Sequence, residues 1–192
     1  MSNMMVRKYI FYIGCWCWLA IACKPSVPAS FTESGRLPKI YPDYVDVTVP
    51  VNIAPLTFEL DEEADEVIAR YAAGSEEVVC EGKMQPTMDE WRALTAGGGT
   101  VSVDVYACRD GQWTHYKPFR INVSTDSIDS YLSYRLIPPS FVSYEALTIS
   151  QRCLENYDES VIYDNMLCGF EREGQCINCH HYTLTSKLIC CF

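Results

Sequence analysis

The chain reads as mainly β: a small antiparallel β-sandwich, preceded by a separate apolar leader and followed by an irregular segment rich in cysteine. Three observations carry this. From Ile40 to Val123 the apolar residues recur at every second position in short runs, which is the period of half-buried strands. Those runs are cut by proline, by glycine and by an Asp-Gly pair, the residues that end strands and turn hairpins. Only one stretch, after Thr87, opens like a helix. A length of 192 residues suits one domain with appendages, and no repeat of 20–50 residues runs through it.

The leader comes first. Arg7 and Lys8 precede Tyr9 to Ala22, fourteen residues without a charge. That is short for a membrane span but suits the apolar region of a secretory signal. Small residues then lead into a cysteine, Leu19-Ala20-Ile21-Ala22-Cys23, which resembles a bacterial lipobox. Residues 1–22 therefore read as a lipoprotein signal peptide, with Cys23 as the lipidated first residue of the mature chain. The plainer alternative is a signal cut at an A-x-A-like site. More than one acyl chain is needed for firm attachment to a bilayer. Residues 23–39, opening Lys24-Pro25-Ser26-Val27-Pro28-Ala29-Ser30, read as a tether.

Removing residues 1–22 takes away two positive charges and no negative one, so the net charge moves from −10 to −12. A chain that acidic is no partner for nucleic acid or an anionic surface. Cys15 and Cys17 leave with the leader. Cys80, Cys108, Cys153, Cys168, Cys190 and Cys191 are then available for disulfides in an oxidising compartment, with no pairing readable from spacing.

Residues 40–125 form the expected sandwich. Val45, Val47 and Val49 alternate, and Leu56, Phe58 and Leu60 repeat the pattern after Pro50 and Pro55. Asp61 to Glu66 is an acidic, solvated turn without the glycine-bearing spacing of a calcium loop. Val67–Tyr71 and Glu77–Cys80 are strands about Gly74-Ser75. Thr87-Met88-Asp89-Glu90 is a capping box that starts a short helix, and Ala96 to Gly99 stops it. Val101, Val103, Val105 and Ala107 share one strand face, Asp110-Gly111 makes the turn, and the return strand runs from Trp113 toward Val123. Ile121 and Val123 point inward there, and Pro118 forces an edge or a bulge.

Beyond Ser130 the period is lost and Pro138-Pro139 breaks any element. Residues 126–181 read as an extended connector. Within it lies Cys176-Ile177-Asn178-Cys179-His180, the C-x-x-C-H pattern of c-type haem attachment. Two thiols at that spacing reach the two vinyl groups of one porphyrin, and the adjacent imidazole ligates the iron. Given 11 Cys and 3 His in the chain, chance supplies about 0.01 such runs. Cys176 and Cys179 are the thioether residues in this reading, and His180 is the proximal metal ligand. Met166 and His115 are the candidates for the distal position, which is otherwise open.

Other uses of the same residues compete. Cys168, Cys176, Cys179 and His180 or His181 make a tetrahedral zinc set. Cys176 and Cys179 alone make a disulfide or redox pair, although a thioredoxin-like context is absent. The motif is also compatible with an unoccupied site. Hydrolytic chemistry lacks its motifs, neither G-x-S-x-G nor H-E-x-x-H being present, so no enzyme and no small-molecule substrate is read.

The runs IYPDYVDVTVPVNIAPLTFEL, YKPFRINV, SYRLIPPSFVSYEALTISQRCLENYDESVIYDNMLC and QCINCHHY stand in that order. Together they resemble the N-terminal part of a TolB-like family of exported Gram-negative lipoproteins. In that family a lipidated N-terminus precedes a β-rich domain, a single C-x-x-C-H and a β-propeller. The resemblance covers most of residues 40–181. It implies a periplasmic protein held to the outer (or inner) membrane through lipid on Cys23, with envelope proteins as partners. It also implies haem c on Cys176, Cys179 and His180, serving electron transfer or structure. The alternative is a protein-binding scaffold whose cysteine–histidine cluster is structural. Residues 182–192, ending Leu188-Ile189-Cys190-Cys191-Phe192, depart from the family and read as the aberrant tail of a truncated frame.

Overall fold

A computed structural model of the chain describes residues 25–136 and 147–164, together with the backbone of 179–182 and 188–191. The chain is mainly β, as its periodicity implies. The alternating Val101-Val103-Val105-Ala107 run forms the central strand β7, Gly99–Arg109. On one side of it lies β5 (Glu66–Ala73), antiparallel, with β6 (Glu76–Glu81) beyond. The β5–β6 turn places Gly74 at φ +59°, a left-handed conformation that glycine takes without a Cβ penalty.

Along the other side of β7 two short strands follow end to end. β9 (Phe119–Ser124) pairs with residues 99–103, and β8 (Gln112–His115) pairs with 106–109. The single return strand expected over 113–123 is thus split. Pro118 has no N–H for a ladder, and between the two strands the Tyr116 amide donates to the Val105 carbonyl at 3.0 Å. Outside these lie β1 (Thr32–Glu33), parallel to β8, and β3 (Thr48–Pro50), parallel to β9. So the seven-stranded sheet is mixed, and β1 belongs to the stretch expected to be a free tether. Alternation announces a strand but says nothing of its partner's direction.

One face of the sheet carries the core. Ala69, Tyr71, Val101, Val103, Val105, Phe119 and Ile121 are buried there. Their cover is a helix and a two-stranded ribbon rather than a second large sheet. Helix α1 (Met88–Thr95) starts at the Thr87–Glu90 capping box and buries Trp91 and Leu94. The Trp91 indole N–H donates to the Ile53 carbonyl at 2.9 Å, which satisfies the one polar atom of a buried ring. The ribbon pairs β2 (Ile40–Tyr41) with β4 (Glu59–Leu60). It brings Phe58 edge-on to Phe119, ring centres 5.8 Å apart.

Residues expected to be an extended connector include a second sheet. β10 (Tyr131–Leu136), β11 (Thr148–Cys153) and β12 (Glu159–Asp164) form an antiparallel three-stranded layer. It is fastened to the 52–55 loop of the larger domain. The Ala54 amide donates to the Leu154 carbonyl at 2.8 Å, and the Tyr157 hydroxyl donates to the Pro55 carbonyl at 3.0 Å. Last, the backbone of β13 (Cys179–Tyr182) pairs antiparallel with β14 (Leu188–Cys191), so part of the expected aberrant tail is paired strand. Among the described residues no helix is long and apolar enough to cross a membrane.

Candidate functional site: the cysteine–histidine strand and a buried charge chain

The residues singled out from sequence fall in three places. Cys23, Met166, Cys168 and Cys176 lie outside the described residues. Cys179 and His180 occupy successive positions of β13, and their register partners on β14 are Cys191 and Cys190. That hairpin therefore brings three cysteines and one histidine onto two adjacent rungs. Successive strand positions lie on opposite faces, so Cys179 with Cys191 and His180 with Cys190 are two separate pairs. Among the described residues no group of three or more His, Cys, Asp or Glu is arranged to hold a metal. Cys80, Cys108 and Cys153 are buried free thiols, so none of these three is cross-linked. Burial first, and the Glu90 charge second, push the Cys80 thiol up to about 11, which keeps it protonated and unreactive at neutral pH.

His115, a candidate distal ligand, has both ring nitrogens engaged. Nε2 lies 2.9 Å from Asp104 Oδ1 and Nδ1 lies 3.0 Å from both Glu33 carboxylate oxygens. An imidazole bonded on both sides offers no nitrogen to an iron. The register explains the meeting. His115 pairs with Tyr106 across β7–β8, and Glu33 pairs with His115 across β1–β8. On β7 itself, Asp104 is two residues from Tyr106 and so shares its face.

The chain of charges continues. Asp104 is 4% exposed, and its Oδ2 accepts from Arg70 Nε at 3.2 Å and Nη2 at 2.9 Å. Arg70 and Asp104 are register partners across β5–β7. The aspartate bond, set against some burial, raises the Arg70 guanidinium above its ordinary value. Apolar rings close the arrangement. Tyr106 stacks on His115 with centres 4.4 Å apart, and Phe31 meets each ring edge-on at 5.2 Å. Arg70–Asp104–His115–Glu33 is thus a continuous hydrogen-bonded chain whose two middle members are largely buried and whose ends, Arg70 and Glu33, reach the surface.

Sequence reasoning missed this chain. Its signal was present: Asp104 interrupts Val103 and Val105 at the positions expected to face solvent. What periodicity does not reveal is that Tyr106 and Cys108 on that same face are 3% and 6% exposed. Chemically the chain is complete in itself. Every described carboxylate and nitrogen in it has a partner, and no hydroxyl or thiol nucleophile is bonded to His115.

Two cavities open elsewhere. One of about 540 Å³ lies between Phe58–Leu60 and Gly82–Met84. The other, about 320 Å³, lies between the 51–53 loop, α1 and Glu155. Neither touches the charge chain. No family model, no curated protein and no solved structure matches this chain.

Proposed function

We propose that the chain is an exported, non-catalytic envelope module, anchored through lipid on Cys23 and carrying a covalent haem c on Cys176 and Cys179. His180 ligates the iron in this reading, and the TolB-like resemblance supplies the periplasmic setting and envelope partners. The C-x-x-C-H run at 176–180 carries the proposal. Haem, when bound, supplies one-electron chemistry. The chain's own residues tether it by two thioethers and offer one imidazole.

The test is expression into the periplasm of a host with haem-maturation machinery. Haem should remain with the polypeptide through denaturation, because thioethers survive where coordination alone does not. Cys176→Ser with Cys179→Ser should abolish that retention. A colourless, zinc-loaded product from such a host sinks the haem reading.

A second reading rests on the β13–β14 register. Directly opposed antiparallel positions stand about 4.5–5.5 Å apart at Cα, inside the span of a disulfide. Cys179 and Cys191 are such a pair. A structural Cys179–Cys191 cross-link would make the protein a binding scaffold. Cys191→Ser separates the readings, since it removes the cross-link and leaves haem attachment unchanged.

A further inference from the structure

The larger of the two cavities, about 540 Å³, opens where two extended segments part. Phe58 and Met84 form one antiparallel bridge, and beyond it the two segments diverge. A continued register would set Leu60 against Gly82. Gly82 turns away instead: its amide donates to the Val67 carbonyl at 3.3 Å, and the Lys83 amide donates to the Glu81 carbonyl at 2.9 Å. The Gly82 φ of +73° lies outside the strand region, and glycine takes it without a Cβ penalty.

The parting leaves one rung of backbone open. The Asp61 amide donates to the Lys39 carbonyl at 2.8 Å, so in the β2–β4 ladder Asp61 and Glu59 turn their backbone groups toward β2. Antiparallel strands reverse this direction at each residue. The Leu60 N–H and C=O therefore point away from β2, into the cleft that Leu60 and Gly82 line. Among the described residues nothing bonds to either group. An open donor and acceptor on one strand residue is what a further extended backbone completes.

Side chains give the cleft its polarity. The floor is apolar: Phe58 and Met84 are 2% exposed, and Leu60, Ala64 and Val67 pack half-buried against the core. Lys83 lines the cleft and is exposed. Among the described residues its ammonium pairs with no carboxylate. The neighbouring acids are otherwise engaged. Arg36 clamps the Glu62 carboxylate with two bonds of 2.6 Å, and the Tyr116 hydroxyl adds a third at 3.1 Å. Glu59 stands on the opposite pleat from Leu60 and is exposed.

We propose that this cleft receives the C-terminal end of an extended peptide. The peptide backbone pairs with the Leu60 N–H and C=O, its last, apolar side chain enters between Phe58, Leu60 and Val67, and its carboxylate meets Lys83. A cavity of this size, with an apolar lining and few polar groups, has the character of a ligand site. Backbone pairing beside one side-chain pocket is a general mode of peptide capture. The carboxylate end is assigned because the cation at the cleft is unpaired while Glu62 is already satisfied. The site rests on neither the haem reading nor the lipid reading.

The test uses the full chain and a dye-labelled hexapeptide of alternating threonine and valine, ending in valine with a free carboxylate, followed by fluorescence anisotropy. Binding should saturate, and converting the carboxylate to an amide should weaken it about fivefold. Lys83→Gln should weaken the acid by the same factor and leave the amide as it was, whereas Lys117→Gln, on an exposed lysine outside the cleft, should change neither. N-methylation of alternate peptide nitrogens gives two further probes, because one set of N–H groups faces Leu60 and the other faces away. One probe should lose roughly tenfold in affinity and the other should keep it. Failure to saturate at millimolar peptide overturns the site. Equal affinity for acid and amide, or an equal loss of both in Lys83→Gln, overturns the role of Lys83. Equal losses in the two methylated probes overturn the pairing with Leu60.

Discussion

Successive residues of β7 answer to different physics. Val101, Val103 and Val105 are fully buried against α1 and the β2–β4 ribbon, and shape is all that position asks of them. Asp104 and Tyr106, on the other face of the same strand, are nearly as buried, but Asp104 is there only because Arg70 and His115 satisfy it. An apolar face tolerates any side chain of suitable size. A buried carboxylate demands particular partners in particular places. One face of the sheet is therefore held by packing, and the other by a specific chain of hydrogen bonds.

Cutting the packed face should have the largest effect. Trp91→Ala removes a ring that is 1% exposed and leaves a cavity beneath α1. The expected loss is about 4 kcal/mol, read from chemical unfolding of the whole chain. A loss under about 1 kcal/mol would mean that the helix does not close that face.

The bonded face comes next. Asp104→Ala leaves Arg70 and His115 without the acceptor between them, and should cost about 3 kcal/mol. Asp104→Asn, which keeps the shape and one acceptor, should cost clearly less. Equal losses in the two variants would show that Asp104 acts by volume, and the contrast between the faces would collapse.

The smallest effect sharpens the comparison at its exposed rim. The bonds from Arg36 first, then the Tyr116 hydroxyl, hold the Glu62 carboxyl down at about 2 against some burial. Its folded value lies below the ordinary carboxylate value of about 4.3. The pair's contribution is therefore present above that value and is lost as pH falls from there through about 2. Unfolding curves of wild type and Glu62→Gln should differ at pH 6 and converge toward pH 2. Arg36 is half exposed, so the difference stays small. Curves that stay parallel down to pH 2 would place the clamp outside the stability of the fold.

The amino-acid sequence by itself determined the strands whose inner face is purely apolar. Val101 to Ala107, Ile121 with Val123, and the Thr87 capping box read correctly because strand period and helix start are local properties. The cysteine–histidine motif is equally local, since five adjacent residues define it. Only the tertiary structure decided how those strands pair. β1 and β3 lie parallel to strands about 80 and 75 residues further along, and no local period encodes a partner so distant. The three-stranded layer over 131–164 was hidden for a related reason. Leu132, Leu136 and Val161 are exposed on it, so burial does not stamp a clean alternation on that stretch. The charge chain depended most on tertiary structure. Glu33, Arg70, Asp104 and His115 come from four strands, and no local pattern linked them before the sheet set them side by side.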